Sequence, residues 1–208
     1  MIYNKNIDTS FPERQVRAVY NEKSIRVYQA YSDEIADSTL ANNKFVSPPF
    51  KMTRMTWIKP SFLWMMYRAG WGFKSKEQRR ILAIDLTHDG FLWALSNSCL
   101  SSHNHDTYNK EEWNVQKNTQ PVRIQWDPER DIFLNKLNYR TIQIGLAGDA
   151  VKHYVNDWIV NIDEVTNLAR AIRSNIETKS IGQVIQMLPV ERPYLLDPIL
   201  SKRLGMLT

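Results

Sequence analysis

Residues Phe45 to Gly72 read FVSPPFKMTRMTWIKPSFLWMMYRAGWG, and both fold and chemistry depend on how that run divides. Ser47-Pro48-Pro49 excludes a regular helix and predicts an extended connector as far as Phe50. Lys51 to Trp57 reads as a strand, with Met52, Arg54 and Thr56 on one side and Thr53, Met55 and Trp57 on the other. Pro60 presets a helical turn, and Ser61 to Ala69 reads as an apolar helix that Gly70 stops. Nine basic residues between Lys44 and Arg80 stand against one acid, Glu77, so this segment alone exceeds the net charge of +5 carried by the whole chain.

Upstream, Ser24 to Tyr31 alternates Ile25, Val27 and Gln29 with Arg26, Tyr28 and Ala30, and its β-branched and aromatic content predicts a strand. Ser32 is an N-cap whose hydroxyl can accept from the first-turn amides, and Asp33 and Glu34 sit where the helix dipole favours anions. Ile35, Ala36, Thr39 and Leu40 give that helix an apolar face, which Asn42 and Asn43 end. Downstream, the nearly continuous apolar run Ile81 to Leu86 suits a central strand buried on both faces. Thr87 caps a short helix carrying Phe91, Leu92, Trp93 and Leu95. Ser96 to Gln120 reads as a long polar loop, Val122 to Trp126 as a strand, and Asp127-Pro128-Glu129-Arg130 as a turn. A strand over Tyr139 to Leu146 and helices over Ala150–Asn156, Val165–Arg173 and Ile181–Leu188 complete the series. Residues 1–14 read as a loosely held segment and 189–208 as an irregular tail punctuated by Pro189, Pro193 and Pro198.

A chain of 208 residues, 43% hydrophobic and 24% charged, fits one soluble domain with a substantial core. The single cysteine, Cys99, makes no internal disulfide and reads as a small buried hydrophobe, which fits a reducing, cytoplasmic setting. No signal-peptide pattern and no run of about 18 apolar residues is present, so no membrane partner is expected. The basic balance instead suits an anionic partner, a nucleotide or a nucleic acid.

Arg26, Tyr28, Lys51, Arg54, Lys59 and Arg68 form a cationic and aromatic set. An arginine fork pairs two-pronged with phosphate, and a neighbouring ring can stack a base. Packing accounts for Phe62, Leu63, Met65 and Met66 at helical spacing. His103, His105 and Asp106 could bind a metal or shuttle protons, but they lie in a long polar loop with no third strong ligand nearby, so solvent-facing histidines explain them better and no metal site is expected. Gln125, Asp127, Glu129 and Asp131 offer carboxylates near a strand end, of which Glu129 is the preferred catalytic candidate. Gly145-Leu146-Ala147-Gly148 is too short for a phosphate loop, and neither a Gly-x-Ser-x-Gly elbow nor a His-Glu-x-x-His helix occurs.

On RQVRAVY (Arg14 to Tyr20), IRVYQAYSDEIAD (Ile25 to Asp37), the block from Val46 to Trp71, LAIDLT, IQWDPER and IQIGLAGDAV (Ile142 to Val151), the chain resembles the bacterial and fungal family designated domain of unknown function 4291. A second similarity is to ADP-ribosyltransferases. There the strand-cap-helix unit VYQAYSDEIADSTLANNKF looks like the opening unit, and Thr56-Trp57 leads towards the aromatic helix Ser61 to Tyr67. That resemblance implies NAD as donor and a nucleic acid or small-molecule acceptor. It implies binding roles for Arg26, Tyr28, Tyr31, Lys51, Arg54, Thr56, Trp57, Lys59, Ser61 and Tyr67, and catalytic positions for Gln29 and Glu129. Gln29 stands where that family has an Arg or His. The expected architecture is a single α+β domain of ADP-ribosyltransferase type, a mixed or mostly antiparallel sheet flanked by helices. The alternative is a non-catalytic RNA- or DNA-binding module on the same patch.

Overall fold

The chain folds from Phe11 onward as short strands and helices whose ends are set by local chemistry; the structure, a computed structural model, describes residues 11–103 and 109–206. β1 (Arg17–Ala18) precedes β2 (Ser24–Tyr31), and Ser32 accepts from Ile35 N to start α1 (Asp33–Asn42), which Asn43 ends in a left-handed conformation. After β3 (Thr56–Ile58), Ser61 accepts from Trp64 N to cap α2 (Phe62–Ala69), and Gly70 at φ 55° closes it. β4 (Arg80–Thr87) runs into α3 (His88–Ser96) through the Thr87 cap, followed by β5 (Ser98–Leu100) and α4 (Lys110–Thr119). β6 (Val122–Arg130) and β7 (Lys136–Leu146) form a long hairpin. α5 (Asp149–His153) continues as a π-helical turn, Tyr154–Trp158, into β8 (Ile159–Glu164). α6 (Thr166–Glu177), α7 (Ile181–Met187), β9 (Arg192–Pro193) and α8 (Pro198–Arg203) finish the described chain.

The result is an α+β fold with mostly antiparallel sheets. Besides a two-stranded β1–β9 pair there are two larger sheets: one has the order β2–β4–β8, antiparallel throughout, and the other is β3–β7–β6–β5, in which only β5 and β6 run parallel. β4 is apolar on both sides because both of its faces are covered. Leu82, Ile84 and Leu86 join Ile25 and Val27 in a core shared with Val122, Ile124, Ile142 and Ile144 of the second sheet. Ile81 and Ala83 join Tyr28 in a second core, with Phe62 and Met66 of α2, Ala169 and Ile172 of α6, and Val184 of α7. The two sheets touch edge to edge where Tyr28 and Lys59 exchange backbone hydrogen bonds, 2.7 and 3.3 Å. Among the described residues no helix is long and apolar enough to cross a membrane.

Several local expectations are corrected. Phe45–Phe50 turns back on itself, with Phe50 N donating to Val46 O, so Phe50 packs 4.7 Å from Phe45 instead of extending away. Of the expected Lys51–Trp57 strand only Thr56 and Trp57 are regular, within β3, because β7 offers partners to Thr56, Trp57 and Ile58 alone and Lys51–Arg54 forms a turn. Asp127–Arg130 is not a turn: it stays paired with β7 across a bulge at Pro128/Arg130. The reversal comes later, where the Asp131 carboxylate accepts from Phe133 N and Asn135 N. The expected loop Ser96–Gln120 contains β5 and α4, the latter opened by a reciprocal Asn109–Glu112 capping box. Phe11 stacks on Tyr139 and Glu13 pairs with Arg140, so this part of the N-terminal segment is tied down. The C-terminal tail likewise supplies β9, paired with β1, and α8, whose N-terminus is capped by Asp197.

Candidate functional site

A cleft of about 710 Å³ opens where the ends of β2 and β3 meet α2 and the Phe50–Arg54 turn. Its lining includes Gln29, Tyr31, Lys51, Arg54, Thr56, Trp57 and Lys59, which therefore come together as the sequence reading expected. Arg68, Gln125 and Gln143 complete the wall. Trp57 can lie flat there because its β7 partner is Gly145: a Cβ at that position would stand 2.9 Å from the indole and 3.0 Å from the Met55 sulfur. This is the role of the first glycine of the Gly145–Gly148 run.

The inner edge of the cleft is a polar network. Gln29 Nε2 donates to Thr56 Oγ1 (2.8 Å) and Trp57 O (3.2 Å), its Oε1 accepts from Tyr154 OH (2.6 Å), and the Tyr31 and Thr56 hydroxyls are 3.0 Å apart. Burial pushes the Tyr31 phenol well above its ordinary range, so it serves as a neutral hydroxyl. Gln29, carrying no charge and with its amide fully engaged, clamps β2 to β3.

The cations divide into two kinds. Among the described residues Lys51, Arg54, Lys59 and Arg68 make no ion pair, unlike Arg26, Arg80, Arg140 and Arg173. Lys59 is only 8% exposed and its Nζ donates to Trp57 O at 3.0 Å. Burial, helped by the nearby Arg68 charge and opposed by Asp127, lowers its pKa from 10.5 to about 7. An ammonium without a counter-ion in that setting gives up its proton because desolvation penalises the charged form.

The remaining expected site residues lie elsewhere, each for a physical reason. Arg26 is opposite Asp85 in the β2–β4 register and grips it two-pronged (2.7 Å and 2.7 Å), with Asp163 at 3.1 Å; its expected place in the cleft is corrected. The Tyr28 ring is buried edge-on against Phe62, and only its backbone reaches Lys59. Tyr67 is on another face of α2: with Trp64 it lies under the Arg130 guanidinium, 3.6 Å from the Tyr67 ring, while Met65 and Arg68 face the cleft. Ser61 and Glu129 form a buried cap, in which Ser61 Oγ donates to Glu129 Oε1 (3.0 Å) and the same oxygen accepts from Arg130 N (2.8 Å). Glu129 is 6% exposed and does not line the cleft. Burial pushes its carboxyl up, and pushes neighbouring Glu191, which accepts from Phe62 N, up to about 8. Both sit at the N-terminus of α2, where the dipole favours anions, yet desolvation of two adjacent carboxyls outweighs it.

Glu77 lines the cleft from an exposed position, whereas Asp127 is tied to it through two lining residues. Gln125 Nε2 and Gln143 Nε2, from the lining, donate to its two oxygens at 2.9 and 2.5 Å. Gln143 went unnoticed in the sequence, although Thr141, Gln143 and Gly145 alternate with Ile142, Ile144 and Leu146, and that pattern marks a polar face. His105 and Asp106 lie outside the described residues; His103 packs 5.7 Å from Trp113. Among the described residues no group of three potential metal ligands occurs.

A family model described as domain of unknown function (DUF4291) matches residues 15–194, which takes in every residue of the cleft. No curated protein matches the chain.

Proposed function

The chain belongs to the DUF4291 family, and we propose that its cleft binds an NAD-type dinucleotide in a protein of ADP-ribosyltransferase-like architecture and activity. One observation carries this reading: Lys51, Arg54 and Arg68 line one concave cleft with Trp57 and, among the described residues, form no ion pair. A guanidinium left unpaired is available to a phosphate fork, and an indole face to a base or nicotinamide ring. A volume of about 710 Å³ falls within the range of nucleotide-sized sites.

NAD, when bound, supplies an activated ribosyl carbon. Of the chain's own groups, Lys51, Arg54 and Arg68 hold phosphate, and Trp57 and Tyr31 pack rings. Asp127, steadied by Gln125 and Gln143, offers the negative charge that favours a developing ribosyl cation. Thr56 presents a hydroxyl fixed by Gln29. Glu129 has no part in this arrangement, since its carboxyl caps α2.

Calorimetric titration with NAD and ADP-ribose tests the reading. Binding is expected in the wild type and a loss of at least about tenfold in Arg54→Ala, the worth of one charge-assisted phosphate contact. No heat with either ligand overturns the proposal. Tight binding of short single-stranded RNA with a steep salt dependence, and none of NAD, would favour a nucleic-acid surface built on the same cations.

A further inference from the structure

Lys59 differs from the other cations of the cleft. Its backbone N–H and C=O both bond to Tyr28, Pro60 follows it, and its buried side chain lines the cleft and makes one hydrogen bond, to Trp57 O. The charged groups acting on the amine are Arg68 from α2, which repels its proton, and Asp127 from β6, which attracts it. Arg54 and Lys51 line the same cleft from the turn before β3, and Glu77 lines its outer rim. Among the described residues no carboxylate pairs with the amine. Phosphate recognition by charge is available from its three unpaired neighbours, which leaves Lys59 a different use.

We propose that Lys59 is the nucleophile of the cleft and forms an imine with a phosphorylated aldehyde, such as the open-chain form of a ribose phosphate, whose phosphate is held by Lys51, Arg54 and Arg68. The neutral Nζ adds its lone pair to the aldehyde carbon, and the carbonyl oxygen takes up one amine proton to give a carbinolamine. That hydroxyl leaves as water with the second amine proton. Amine and aldehyde enter, imine and water result, and no oxidant or reductant is consumed. Burial favours each stage: it keeps the amine unprotonated and disfavours the return of water. With its pKa at about 7, Lys59 has roughly 10²- to 10³-fold more free amine at neutral pH than an ordinary lysine. Selectivity for the phosphate rests on the nucleotide reading above, whereas the amine's reactivity does not.

The test uses the full chain with pyridoxal 5′-phosphate and, separately, pyridoxal, followed by borohydride reduction and peptide mass spectrometry. Lys59 is expected to be modified at least about tenfold faster than any other lysine, given its larger free-amine fraction. ADP-ribose is expected to protect it, and Arg54→Ala to slow modification by pyridoxal 5′-phosphate but not by pyridoxal. Lys59→Met, which fills a similar volume without an amine, is expected to abolish the dominant adduct. Even labelling of all lysines overturns the inference, as does equal labelling of Lys59 by both aldehydes. If pyridoxal 5′-phosphate competes with ADP-ribose in calorimetry yet leaves no adduct on Lys59, the inference fails and the nucleotide site stands. If neither compound binds but Lys59 is still the dominant adduct with pyridoxal, the nucleotide site and the phosphate selectivity fail together.

Discussion

Lys59→Met removes an amine whose burial moves its pKa from 10.5 to about 7. The folded value lies below the unfolded one, so between those two pH values the unfolded chain holds more protons. Stability present above 10.5 is lost as pH falls, and the loss is complete below about pH 7. At 1.36 kcal/mol per pKa unit, the lysine costs the fold roughly 4 kcal/mol at neutral pH. Methionine fills a similar volume, and Trp57 O keeps its hydrogen bond from Gln29 Nε2 at 3.2 Å, so the substitution orphans no carbonyl. We expect a gain of about 2–4 kcal/mol at neutral pH, which raises Tm by about 4–16 °C in a chain of this length. Urea denaturation of both proteins at two pH values measures it. The gain is expected to shrink to about 1 kcal/mol at about pH 9.5, where the wild-type lysine no longer suffers the full penalty. A variant less stable than wild type at neutral pH, or a gain independent of pH, would refute the account of Lys59 as a buried amine without a counter-ion. The same substitution is expected to abolish aldehyde capture, a trade of activity against stability typical of functional sites.

Glu191 has a folded pKa of about 8 against 4.5, so its contribution is complete below the lower value and is lost as pH rises through the higher one. Wild-type Tm is expected to decline over that window and Glu191→Gln, which still accepts from Phe62 N, to flatten the profile; an unchanged slope would contradict the assignment. Gly145→Ala brings a Cβ to 2.9 Å from the Trp57 ring and is expected to cost about 1–3 kcal/mol through overpacking, with a measurable fall in ADP-ribose affinity by calorimetry. Arg26→Ala breaks the pairs with Asp85 and Asp163 and is expected to lower stability by about 1–3 kcal/mol while leaving NAD affinity within about twofold, because the guanidinium faces away from the cleft.

Where local chemistry decides, the sequence was readable: Ser32, Ser61 and Thr87 cap the helices assigned to them, Gly70 ends α2, and the apolar run Ile81–Leu86 occupies a strand covered on both faces. Asp-Pro-Glu-Arg misleads because its turn propensity is overridden by pairing with β7, which accommodates Pro128 at a bulge. The Asn109–Glu112 box was visible at its usual three-residue spacing but was absorbed into a loop by the polarity around it. Seven of the twelve expected site residues line the cleft, from the end of β2 (Gln29, Tyr31) and from the segment Lys51 to Lys59, whereas Arg26 and Tyr28, also on β2, do not. Arg26 and Glu129 were misassigned because their partners, Asp85 and Ser61, are 59 and 68 residues away in sequence. Tyr67 was one helical position off: spacing from Met65 selects Arg68 for the cleft face. The unusual environment of Lys59 arises from burial and a missing counter-ion, neither of which a charge count reveals.

A crystal structure grown with ADP-ribose tests most directly whether the cleft takes a phosphate-bearing nucleotide. The pyrophosphate is expected against Arg54, Arg68 and Lys51, with a ring over Trp57. Ligand density on the Arg26 or Glu129 side of the fold, or an empty cleft at saturating ligand, would contradict it.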